Sequence, residues 1–207
     1  MRQRKHVIGL TGNIATGKST VVRMLEELGA EAIDGDALVH RLMGPGSPLA
    51  EQIRAEFGEQ TVNPDGSINR PELGKVVFSD PAKLAALESI TWPPVLAAKR
   101  EAIDSPGPDV LILDAIKLWE SGMADDCDEV WVVSADREQQ IARIIARNKV
   151  DRAEAERRID AQPPQSEKIA KADVVIDNSG TLDETREQVL REWRRLTIED
   201  DNVGANR

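Results

Sequence analysis

Cysteine is almost absent from this chain. Its single thiol, Cys127, excludes an internal disulfide, and a buried or half-buried thiol is the reading that the residue itself supports. Two histidines beside one cysteine leave little for a zinc site. No stretch approaches the ~20 consecutive apolar residues of a membrane span. The start MRQRKHVIGLTG has a basic head like that of a signal peptide, yet its apolar run is too short and Gly12-Asn13 ends it. The expectation is a cytoplasmic protein. Cations are also in deficit: 27 Lys and Arg against 37 Asp and Glu give a net charge of −10. Such a balance argues against broad binding to nucleic acid or an anionic membrane. Any phosphate must be met by a local cluster of cations. Internal repeats and low-complexity tracts are missing too.

What remains is a 207-residue globular chain, 40% hydrophobic and 31% charged, long enough for one α/β domain with an insertion or two. Five short apolar segments read as buried parallel strands: Val7–Leu10, Ala32–Ile33, Val110–Leu113, Val130–Val133 and Val174–Ile176. Helical patterns separate them, so the predicted class is α/β. Between the second and third segments no strand is visible. Ser47-Pro48 and Asp80-Pro81 look like helix starts, NPDG at 63–66 like a turn, and Trp92-Pro93-Pro94 like a break or restart of a helix. This stretch reads as a helical insertion. A second one follows the fourth segment: a helix over Asp136–Arg147, then NKVD, then a helix over Arg152–Gln162. Thr181 and Glu184 form a capping-box pattern for a last helix.

The chemistry is concentrated in GLTGNIATGKST, between the first strand and the first helix. Gly12 to Ser19 fits G-x-x-x-x-G-K-S. Glycines at 12 and 17 free the backbone to point successive N–H groups at an anion, and the helix dipole adds to them. Lys18 reaches the terminal phosphates and Ser19 can ligate Mg²⁺. The predicted nucleotide site is therefore Gly12, Asn13, Ile14, Ala15, Thr16, Gly17, Lys18, Ser19 and Thr20, and the ligand a nucleoside triphosphate.

Three uses of such a loop compete: a small-molecule kinase, a GTPase switch and a non-catalytic nucleotide-binding module. NKVD at 148–151 matches the guanine-reading N-K-x-D, but it follows a helical pattern in QQIARIIAR rather than a strand, and the D-x-x-G at Asp177–Gly180 comes too late. We read NKVD as a chance match. A kinase needs carboxylates near the transferred phosphate. AIDGDALVH supplies Asp34 and Asp36 where the second strand ends, either as acceptor-site residues and base or as a turn and a helix cap. Asp114 ends the third strand, where it can hold the hydration shell of Mg²⁺. The arginine-bearing second insertion is then either a lid over the phosphates or a solvated helix pair.

Taken together, GLTGNIATGKST, AIDGDAL, FGEQTVNPDGSINRPELGKVVFSD, LDAIKLWESG, RIIARNKVDRAEAERRIDAQ and ADVVIDNSG resemble the dephospho-coenzyme A kinase family over roughly residues 6–195. The resemblance implies a P-loop kinase with a five-stranded parallel sheet. The implied reaction is ATP-dependent phosphorylation of the ribose 3′-hydroxyl of dephospho-CoA, the last step of coenzyme A synthesis. It implies a nucleotide-binding core over 1–34, 106–137 and 167–207, a CoA-binding helical domain over 35–105 and a lid over 138–166. Catalytic roles fall to Asp36 as base, Lys18, Arg143 and Arg147. Asn178, Ser179 and Gly180 join the adenine pocket. Asp34, Asp36, His40 and Lys117 lie on the acceptor side, where Lys117 either meets a phosphate or is simply solvated. The chain departs from the family pattern at Trp92, at Ile116-Lys117 and at His40. ATP and dephospho-CoA are the expected partners, with no nucleic acid or membrane, in a monomer or weak homo-oligomer.

Overall fold

The computed structural model describes residues 5–204, with side chains up to residue 197 apart from that of Asp36. The chain divides into two compact units, one formed by residues 1–33 and 107–207 and the other by residues 34–106.

In the first unit the five apolar segments are strands: β1 (His6–Gly12), β2 (Glu31–Asp34), β3 (Val110–Asp114), β4 (Glu129–Ser134) and β5 (Val174–Asp177). Their order in the sheet is β2-β3-β1-β4-β5. β1 is the central strand and pairs parallel with β3, Leu10 beside Asp114, and with β4, Gly12 beside Val133. β4 pairs parallel with β5. Continuous Val, Ile and Leu in β1, β3 and β4 follow from burial on both faces. After β3 the chain crosses to the other side of β1. This reversal opens a crevice at the carboxyl ends of β1 and β3, the place where open α/β sheets bind ligands.

Helix α1 (Lys18–Glu27) buries Val21, Met24 and Leu25 against one sheet face, beside Val189 and Leu196 of the last helix. On the other face Gly9 leaves room for Leu118 and Cys127: a Cβ there would lie 2.7 Å from the leucine and 2.8 Å from the sulfur.

The second unit begins with Asp34, the end of β2. Helices α2 (Gly35–Leu42), α3 (Pro48–Phe57), α4 (Arg70–Val77) and α5 (Pro81–Asp104) follow. Leu49, Ile53, Phe57, Leu73 and Val77 form their shared core, with Leu84, Leu87 and Ile90 of α5 against it. Ser47 and Asp80 accept the Ala50 and Ala82 N–H groups as the predicted caps. NPDG closes a turn in which Gly66 N donates to Asn63 O at 2.9 Å.

The break or restart expected at Trp92-Pro93-Pro94 does not occur. α5 runs unbroken through Trp92-Pro93-Pro94 for 24 residues. Two prolines remove only the N–H groups that would reach the Ser89 and Ile90 carbonyls. The turns on either side keep their bonds, and Thr91 and Val95 are buried across the junction.

Back in the first unit, α6 (Arg137–Asn148) and α7 (Arg152–Asp160) form a helical hairpin, followed by the short α8 (Gln165–Ile169). α7 ends two residues earlier than its polar pattern suggests, and α8 carries too few apolar residues to be read from sequence. α9 (Leu182–Gly204) starts with the predicted capping box: Glu184 accepts the Thr181 N–H at 2.7 Å and Thr181 accepts the Glu184 N–H at 3.2 Å.

Candidate active site

The turn that joins β1 to α1 is held from three sides. Its glycines are obligatory for different reasons. A Cβ on Gly12 would sit 2.7 Å from the Val133 carbonyl. Gly17 has φ 93°, and a Cβ there would collide with the Asn178 amide. Ala15 is left-handed without being glycine, at φ 59°. That conformation costs roughly 1–2 kcal/mol and must be held by its surroundings.

Those surroundings are mostly the α6–α7 hairpin. Ile14 and Ala15 pack against Ile141, Ile144, Ala155 and Ile159, the hairpin's own apolar core. Arg143 donates through Nη1 to the Ala15 and Thr16 carbonyls at 3.2 and 3.1 Å, and through Nη2 to the Asn178 carbonyl at 2.8 Å. Beyond α7, Gln162 Oε1 accepts the Ile14 N–H at 2.7 Å, and Asn13 Nδ2 donates to the Pro163 carbonyl at 2.8 Å. From β5, the buried Asn178 donates to the Thr16 carbonyl at 2.7 Å and accepts the Thr185 hydroxyl of α9 at 2.9 Å.

Inside this frame no side chain caps α1. Its first N–H groups have no helical partner and point, with the positive end of the dipole, into the loop. Lys18 forms an ion pair with Asp114 at the end of β3. Ser19 is exposed and Thr20 half-buried on the first turn of α1. A cleft of about 480 Å³ covers the loop from Gly12 to Ser19 and is also lined by Ile116, Arg143, Arg147 and Gln162. Arg147 is exposed, with its Nε on the Asn148 side-chain oxygen at 3.1 Å.

The remaining predicted positions are more scattered. Asn178, Ser179 and Gly180 bridge the loop to α6: the Ser179 hydroxyl accepts the Asp136 N–H at 2.9 Å and its carbonyl accepts from Gln139. Lys117 is exposed on the turn after β3. In the other unit Asp34 caps α2, accepting the Ala37 N–H at 2.9 Å. His40 meets Arg70 at 2.6 Å through Nδ1. Asp36 lies in α2, and its side chain is outside the described residues.

Two residues of the frame escape sequence reading. Gln162 sits where a helix end was expected, with no signal beyond its position. Lys168 of α8 looks like a solvated lysine in QSEKIAK, yet it is buried. Its ammonium donates to the Ile116 carbonyl at 2.7 Å and to the Thr11 hydroxyl at 3.3 Å, and burial holds its pKa below the ordinary lysine value.

The sequence pattern of one family, described as dephospho-CoA kinase, matches residues 6–184. The chain belongs to that family. A dephospho-CoA kinase of Symbiobacterium thermophilum is 50% identical over 191 residues, 91% of this chain and 80% of that protein. A solved structure from Thermus thermophilus is 32% identical with a TM-score of 0.81, covering 93% of this chain and 98% of that one. The dephospho-CoA kinase of Campylobacter jejuni is 25% identical with a TM-score of 0.69, covering 95% and 99%. Dephospho-CoA kinases are thus what this chain matches along nearly its whole length. The expected P-loop kinase fold with its five-stranded parallel sheet is the observed one.

Proposed function

We propose that the chain transfers the γ-phosphoryl group of ATP to the ribose 3′-hydroxyl of dephospho-CoA, giving coenzyme A and ADP. The observation that carries this reading is the family match. It spans the phosphate loop and the whole helical second unit, residues 34–106, so it covers more than the nucleotide site.

The first unit supplies the nucleotide side. The uncapped start of α1 and the loop N–H groups hold phosphate oxygens. Lys18 leaves Asp114 for the outer phosphates as the nucleotide enters. That movement exchanges one anionic partner for another, so the cation is never stranded in the cleft. Arg147 adds a second cation from the hairpin, which acts as the lid. Arg143 serves both by fixing the loop carbonyls. Asn178 to Gly180 border the adenine.

Mg²⁺ fits the oxygen donors present, the Ser19 hydroxyl and the Asp114 carboxylate, a hard set that leaves room for water and phosphate ligands. The ion would offset charge on the transferred group. Asp36 takes the proton of the acceptor hydroxyl while Asp34 holds the turn that carries it. Residues 35–105 bind the CoA moiety with His40 and Lys117 on the acceptor side. No helix among the described residues is long and apolar enough to cross a membrane. A cytoplasmic monomer or weak homo-oligomer completes the proposal.

The test is phosphoryl transfer from ATP with Mg²⁺ to dephospho-CoA, run beside shikimate, nucleosides and nucleoside monophosphates. Coenzyme A and ADP should form from dephospho-CoA alone. Turnover of another acceptor, with none on dephospho-CoA, would assign the chain to a sister kinase.

A further inference from the structure

Gln162 is placed between two structures that must cooperate. It follows α7, so it belongs to the hairpin, and it lines the cleft over the phosphate loop. Its oxygen is committed: Ile14 N–H is a donor, so the atom facing it at 2.7 Å must be the amide oxygen. What Gln162 has left to offer the cleft is therefore the pair of N–H donors on Nε2, which have no hydrogen bond within the protein among the described residues. The neighbouring residue is fixed as well, through the Asn13 amide on the Pro163 carbonyl. The donor is thus held in place before any ligand arrives.

Which phosphate it meets follows from the loop. The start of α1, at Gly17 to Ser19, takes the inner phosphates of a nucleotide on this motif, and Lys18 reaches outward. Ile14 lies in the other half of the loop, two residues past the end of β1, the strand whose Leu10 stands beside Asp114. A diphosphate satisfies the helix end and stops there. A triphosphate extends past it toward Ile14 and the residue clamped on it.

We propose that Gln162 donates a hydrogen bond to the outermost phosphate of the bound nucleotide, making the site read triphosphate against diphosphate and orienting the group to be transferred. The inference rests on the ATP reading above. It gives the hairpin a direct contact with the reacting phosphate besides its arginines. It also explains why a neutral amide stands in a cationic cleft: a further cation beside the loop would bind ADP more tightly and slow its release, whereas an amide placed at the outer end acts only while that phosphate is present.

Gln162→Glu tests this, because it keeps the shape and an oxygen for Ile14 while replacing the donor with an anion. Binding of the β,γ-imido analogue of ATP and of ADP, each with Mg²⁺, is measured by calorimetry on the full chain. The analogue should bind ~10- to 100-fold more weakly to the variant, the scale of a hydrogen bond to a charged group, while ADP stays within about twofold. Equal losses for both would show that Gln162 only shapes the loop, and unchanged binding of both would remove it from the site; either overturns the proposal. The wild-type protein gives a second readout that needs no variant. The Gln162 side-chain amide signals, in ¹⁵N-labelled protein, should shift with the imido analogue and not with ADP. The same response to both ligands overturns the proposal. Failure of wild-type turnover on dephospho-CoA would instead strike the acceptor assignment and leave this nucleotide comparison standing.

Discussion

Asp34 and Asp36 stand two residues apart and can be separated by substitution. Asp34 already has a structural task, capping α2 through the Ala37 N–H. Asparagine caps a helix as well as aspartate does, so Asp34→Asn removes charge and leaves the helix start intact. Its turnover should fall modestly. Asp36→Asn removes the proposed base, and turnover should fall by ~10²–10⁴-fold with little change in ATP affinity. Steady-state kinetics of the two variants decides the assignment: a larger loss at Asp34 reverses it, and full activity in both leaves the base elsewhere. At this scale the sequence was informative wherever residue type alone dictates chemistry. Gly17, Lys18 and Asp114 fall where their pattern puts them. Gln162 and Lys168 were illegible, because an amide and a lysine are ordinary surface residues until the fold closes over them. Asn178 lay between: its motif marks it, but its hold on the Thr16 carbonyl and Thr185 depends on contacts far away in sequence.

Elements were legible in proportion to their burial. β1, β3 and β4 are apolar without interruption and stand out, and the Thr181–Glu184 box announces α9. α5 reads as broken or restarted at its prolines because local rules for proline ignore what the flanking turns contribute. The join between β4 and α9 illustrates a link that no local pattern reveals. Arg195 donates to both carboxylate oxygens of Glu129 at 2.7 and 2.6 Å, and the Trp131 indole adds a bond at 2.9 Å. Burial pushes the Glu129 carboxyl up, but these donors outweigh it and hold the pKa below the ordinary glutamate value. A folded pKa below the unfolded one means stability that is present above the unfolded value and is lost as the pH falls through the folded one. Arg195→Met should therefore cost about 1–2 kcal/mol at pH 7, discounted for the partial exposure of the pair. The gap to wild type should narrow on acidification below the glutamate range. Urea midpoints at pH 7 and in acid measure this, and a gap that widens in acid would show that the pair does not act through Glu129.

For the whole molecule, the acidic balance argues against binding an anion, and the fold shows how one is still accommodated. Lys18, Arg143 and Arg147 line one cleft in a chain of net charge −10. The base specificity also belongs to this scale. Asn148 ends α6, Lys149 is its left-handed cap at φ 56°, and Asp151 caps α7 by accepting the Glu154 N–H at 2.8 Å. The four residues that imitate a guanine-reading motif are spent on turning the chain between two helices. ATP should accordingly bind more tightly than GTP in calorimetry, and equal or tighter GTP binding would restore the switch reading. The strand order carries a further consequence, for the birth of the protein. β1 is made first, yet its partners β3 and β4 lie about 100 residues or more downstream. At a synthesis rate of roughly 5–20 residues per second, the central strand waits seconds for its neighbours. Residues 34–106, made meanwhile, form a contiguous unit with its own core that can collapse during the wait. The phosphate loop closes late, since the Thr16 carbonyl has no Asn178 to close on until the ribosome has passed β5. A nascent chain thus carries the sequence of its nucleotide site from the beginning and acquires the site itself only near the completion of the sheet.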